Sequence, residues 1–120
     1  MNFDEVIKSH SGWKARIANH LTKADPTIDV VRLESDSRCA LGKWIYGEGM
    51  VRHGSDATFH DLHLEHAKFH REAAGLVKRV NAGEKIAEAS ALGANSAYSK
   101  QFTKVVGLLM EMKRKAGAAH

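Results

Sequence analysis

Apolar residues recur every three or four positions through most of this chain, and only one proline interrupts them. That period lines up side chains on one face of an α-helix, whereas a strand needs an alternation of two. Over residues 2–23 the stripe is Phe3, Val6, His10, Trp13, Ile17 and Leu21, and Asp25-Pro26 stops it. Ile28-Asp29-Val30-Val31-Arg32-Leu33 mimics a strand. A strand without a partner makes no sheet, so residues 27–38 are expected as helix or extended connector. Ser35-Asp36-Ser37 offers N-caps for a short helix carrying Cys39, Leu41 and Trp44, and Gly47-Glu48-Gly49 reads as a turn.

A further helix is predicted from Ser55-Asp56 to about Val80, with Phe59, Leu62, His66, Phe69, Ala73, Leu76 or Val77, and Val80 on its stripe. Asn81-Ala82-Gly83 ends it, glycine being a common C-terminal stop. A last helix is predicted over residues 84–116, with Ile86, Ala89, Leu92, Ser96, Ser99, Phe102, Val106, Leu109 and Met112 facing inward. The expected fold is all-α: an antiparallel bundle of three long helices plus a short helix that carries the cysteine, in a single domain over residues 1–120.

Histidine intrudes on these apolar stripes. His10 occupies the core register between Val6 and Trp13, and His66 occupies it between Leu62 and Phe69, with His70 one turn further on. Burying an imidazole without a partner costs on the order of a few kcal/mol, and a shared metal is the simplest way to satisfy several at once. Composition points the same way, because 5 of the 8 histidines fall between His53 and His70. His66 and His70 are four apart, which on a helix gives two nitrogens on one face at a spacing suited to a single zinc ion. The one cysteine excludes a disulfide framework and any CxxC zinc finger; Cys39 completes a set of three nitrogens and one sulfur, which suits tetrahedral Zn²⁺.

Three short elements carry a family resemblance. His10-Ser11-Gly12-Trp13 is an HxxW, Cys39-Ala40-Leu41-Gly42-Lys43-Trp44 is a CxLGxW, and His66-Ala67-Lys68-Phe69-His70 is an HxxxH. In order and approximate spacing they resemble the chemoreceptor zinc-binding (CZB) domain over about residues 3–110. The resemblance implies zinc on His10, Cys39, His66 and His70 within a helical bundle. It implies a regulatory rather than enzymatic role in bacterial signalling, sensing zinc or an oxidant of the hypochlorous acid type, with Cys39 as the reactive thiolate. Its expected partner is a chemoreceptor or diguanylate cyclase signalling domain, in the same polypeptide or in another, and a homodimer is expected. Neither methyl-accepting helices nor a cyclase domain is part of this sequence.

Two rival readings stand beside this one. The zinc could be purely structural in a helical interaction module. A hemerythrin-like di-iron site is the other, but it needs bridging carboxylates on the inner stripes, where this chain has apolar residues. Around the site, Trp13 and Trp44 are expected as apolar walls, and Gly42 either lets the short helix approach closely or lets it turn. His63 is a candidate supporting group or alternative ligand; His20, His53 and His60 are expected to be partly exposed, and His120 has no readable role. Asp36, Asp56, Asp61 and Glu65 are near enough in sequence to orient a ligand imidazole.

A net charge of +4 is dispersed among acids, without the aromatic interleaving that nucleic-acid binding favours. No apolar run approaches a membrane span, and residues 1–10 contain no apolar signal region. The expected location is the cytoplasm.

Overall fold

A computed structural model describes residues 1–118, so His120 lies outside the described residues. Helix α1 is Phe3–Thr22, opened by the Asn2 side chain, whose oxygen accepts the Glu5 N–H. Helix α2, Val30–Glu34, is capped by Asp29 in the same way, which settles the strand-like run as a short helix. Helix α3 is Ala40–Trp44; a wide π-helical turn, Ile45–Gly49, kinked at Gly47, joins it to α4, Met50–His53. The expected turn at Gly47-Glu48-Gly49 is therefore a kink within a nearly continuous helical path.

Helix α5, Ala57–Asn81, starts at the Asp56 cap and matches the helix expected there. The helix expected over residues 84–116 is instead two, α6 (Glu88–Leu92) and α7 (Ala97–Ala118). Gly93 leaves helical geometry, and the Ser96 hydroxyl accepts the Ser99 N–H to start α7 afresh. Leu92, Ser96, Leu109 and Met112 are buried as expected, Tyr98 and Val105 join them, and Ala89 is exposed because α6 and α7 are separate helices.

Side-chain contacts fix the helix directions. His10 of α1 meets His66 and His70 of α5, and His20 meets Asn81, so α1 and α5 run parallel. Helix α7 runs against both, since Lys115 reaches Asp56 and Lys113 reaches Asp4. The broken path from α2 to α4 also descends against α5: Leu33 lies at His70, Cys39 at His66, and Trp44 at Phe59. The result is an up-down-up-down bundle whose second member is fragmented into short helices. Its core includes the fully buried Ile17, Leu41, Ile45, Phe59, Leu62, Phe69 and Leu109, each contributing about 1.5–3 kcal/mol by leaving water.

Candidate metal centre

Two helices and one turn converge on a single point in the core. His10 comes from the middle of α1, His66 and His70 from successive turns of α5, and Cys39 from the residue preceding α3. One donor atom from each lies within 4.8 Å of all the others. His66 Nε2 is 3.3 Å from His10 Nε2 and 2.9 Å from His70 Nε2. Cys39 Sγ stands 3.8, 3.3 and 3.5 Å from Nε2 of His10, His66 and His70. Ligands about 2.0–2.3 Å from a common tetrahedral centre are separated by roughly 3.3–3.8 Å. Four of these five edges match a zinc-sized ion, and the His66–His70 edge at 2.9 Å is shorter.

Ring orientation strengthens this fit. His10 Nδ1 donates to the Val6 carbonyl at 2.9 Å, and His70 Nδ1 donates to the Leu33 carbonyl at 2.7 Å. A carbonyl only accepts, so each Nδ1 keeps its proton and each neutral ring turns a bare Nε2 lone pair toward the shared point. Lone pairs converging in a buried place repel one another unless a cation lies between them. His66 is 0% exposed and turns its Nε2 to the same point, while its Nδ1, on the far side of the ring, has no hydrogen-bond partner, at a cost of about 1–3 kcal/mol.

Charge states agree. Burial lowers the pKa of His10 and His70 below the ordinary imidazole value, partly countered by the Val6 and Leu33 carbonyls. Burial, followed by the charges of His70 and His10, lowers that of His66 to about 2. Neutral imidazole is the form that binds metal. Burial pushes the Cys39 thiol up, while the Gly42 and Leu41 N–H groups pull it down. A cation at the shared point would favour the thiolate.

The local sequence explains how Cys39 arrives there. The predicted Ser35-Asp36-Ser37 caps do not serve α3; Cys39 is itself the cap, its Sγ accepting the Gly42 N–H at 3.3 Å. Gly42 resolves in favour of close approach, because a β-carbon there would lie 1.8 Å from the Asp36 carbonyl oxygen. Trp13 borders a cavity beside Cys39 and His70. Trp44 packs a layer away, on Phe3, His53 and Phe59, and the aromatic wall against the histidines is Phe69, 5.7 Å from the rings of both His10 and His70.

Among the other histidines, His63 stands outside the cluster and its Nε2 pairs with the Tyr46 hydroxyl at 3.0 Å. His53 is half-buried and His60 exposed, but His20 corrects the expectation of partial exposure. It is 2% exposed, with Nε2–H donating to Asn81 Oδ1 and Nδ1 accepting the Asp25 N–H. The four candidate acids do not accept from a ligand ring. Asp56 pairs with Lys115, Glu65 with Gln101, Asp36 with the Tyr46 hydroxyl, and Asp61 is exposed. Backbone carbonyls do the orienting, and no residue-type signal reveals them. Tyr46 ties Asp36 to His63 across the Cys39 turn, and nothing in its local sequence spacing marks it. Among the described residues no carboxylate is buried, so none is placed to bridge two irons.

A family model described as the chemoreceptor zinc-binding domain matches residues 10–77, more than half of the chain, from His10 into the last turns of α5. It includes His10, Cys39, His66 and His70, and is shorter than the span of about residues 3–110 over which the motifs suggested the resemblance. No curated protein and no solved structure matches the chain.

Proposed function

The chain belongs to the chemoreceptor zinc-binding domain family, and on that footing we propose a sensory module of bacterial signal transduction whose zinc ligands are His10, Cys39, His66 and His70. When bound, zinc supplies the positive charge that keeps Cys39 a thiolate at neutral pH. Four protein ligands leave no coordination position for a substrate, so the module regulates and does not catalyse. Its output is a chemoreceptor or diguanylate cyclase signalling domain, in the same polypeptide or a partner, acting in the cytoplasm as a homodimer. Among the described residues no helix is long and apolar enough to cross a membrane.

The dual engagement of the Cys39 sulfur carries the sensing step. The same Sγ faces the histidine nitrogens and caps α3. Hypochlorous acid converts the thiolate to sulfenic acid: sulfur loses two electrons and gains the hydroxyl, and chloride leaves. The oxidised sulfur is a weaker ligand and a weaker cap. Helix α3 is only five residues long, so losing its cap frees the turn that connects it to the bundle.

The test is a titration of zinc-loaded protein with hypochlorous acid beside a colorimetric zinc chelator, with Cys39 followed by mass spectrometry. Zinc release in step with Cys39 oxidation is the expected result. Zinc that stays bound after Cys39 is fully oxidised would leave only a structural metal.

A further inference from the structure

Beside the metal centre lies a cavity of about 230 Å³ whose wall includes Cys39, His70 and Trp13. Arg16 of α1, Arg32 of α2 and Arg38, the neighbour of Cys39, complete its rim. Asp29 is the one acid in the lining, and its carboxylate is engaged in capping α2 through the Arg32 N–H. None of the three arginines is in an ion pair among the described residues. Asp25 lies near enough to Arg16 to feel its charge, but its carboxylate accepts from Thr27. The Arg16 guanidinium sits 4.3 Å above the Trp13 ring, a cation–π contact that holds it at the rim.

We infer that this cavity binds a small oxyanion, seated between the Arg16, Arg32 and Arg38 guanidiniums and the Cys39 wall of the metal centre. Free guanidinium forks match the oxygen spacing of phosphate, sulfate or carboxylate. The volume suits one such anion with a few waters, at roughly 30 Å³ per water. Three positive groups drawn from separate segments around one concavity also concentrate anions there. The inference rests on the proposed reading of Cys39 as a reactive thiolate: an anionic thiol reagent is drawn to the sulfur, and an inert oxyanion blocks it.

The chain has one cysteine, so alkylation reports on Cys39 alone. The experiment compares iodoacetate, which is anionic, with iodoacetamide, which is neutral, on zinc-loaded and on metal-free protein. In both reagents the thiolate sulfur forms a bond to carbon and iodide leaves. The iodoacetate-to-iodoacetamide rate ratio is expected to exceed that of N-acetylcysteine by about three- to tenfold. Inorganic phosphate is expected to slow iodoacetate more than sodium chloride does at equal ionic strength. Arg32→Gln and Arg38→Gln, both exposed, should each lower the ratio, and far-UV circular dichroism checks their fold.

A ratio equal to that of the free thiol and unmoved by both substitutions would overturn the inference. So would equal inhibition by phosphate and chloride, which would leave a diffuse field and no site. Failure of the wider reading looks different: iodoacetamide itself would react slowly with both forms, or zinc would not bind, while the rate ratio still decides the cavity.

Discussion

Gly42 packs against the backbone of Asp36 so closely that a β-carbon on it would lie 1.8 Å from the Asp36 carbonyl oxygen and 2.9 Å from the Ser37 α-carbon. Both obstacles are main chain and cannot swing aside. The contact seats the start of α3 against the preceding turn, and Cys39 lies between these two segments. Gly42→Ala is therefore expected to displace Cys39 as well as strain the fold, at a cost of about 1–3 kcal/mol. Denaturant unfolding measures that cost, and competition with a chelator should show weaker zinc binding. Ala40→Ser, on an exposed position of the same helix, should leave both nearly unchanged.

Replacing His66 separates the needs of the metal from those of the fold. Its ring is fully buried and its Nδ1 unpaired, so in metal-free protein it is a liability. His66→Leu is expected to abolish zinc binding yet stabilise the metal-free protein by about 1–3 kcal/mol. Equilibrium unfolding with and without zinc checks both halves. A metal-free variant less stable than wild type would mean that His66 has a packing role the contacts do not reveal.

The buried imidazoles also set a pH dependence. Each has its folded pKa lowered, that of His66 to about 2 against an ordinary value of 6.5. The unfolded chain then binds more protons, so stability is fully present above about pH 6.5 and declines as pH falls below it. The slope is up to about 1.4 kcal/mol per pH unit for each histidine. Metal-free protein should be about 1–4 kcal/mol less stable at pH 5.5 than at pH 7.5, as urea unfolding would report. Zinc affinity should fall over the same range, because protons compete for the same nitrogens.

His20 provides a control far from the metal. It lies ten residues beyond His10 on α1, roughly 15 Å along the helix. It joins the end of α1 and the following turn to Asn81 at the end of α5. His20→Ala should cost about 2–4 kcal/mol through lost packing and an unpaired Asp25 N–H, with zinc stoichiometry unchanged. Thermal unfolding and metal analysis of the purified variant check the two outcomes.

These contrasts mark what a sequence makes legible. The stripes of α1 and α5 carry their own period, so the placement of His10, His66 and His70 on inner faces could be read directly. The break between α6 and α7 could not, because a hydroxyl cap at Ser96 competes with helix continuation and only the packed structure decides the outcome. The orienting groups for His10 and His70 are the Val6 and Leu33 carbonyls, which any residue type would supply. Arg16, Arg32 and Arg38 are scattered along the chain and become one rim only when α1, α2 and the Cys39 turn come together.

X-ray absorption at the zinc edge of the purified, zinc-loaded protein tests the ligand set most directly. The expected result is one zinc per chain with three nitrogen neighbours at about 2.0–2.1 Å and one sulfur at about 2.3 Å, the sulfur shell vanishing in Cys39→Ala. A protein that takes up no zinc, or a zinc shell of nitrogen and oxygen alone in the wild type, would contradict it.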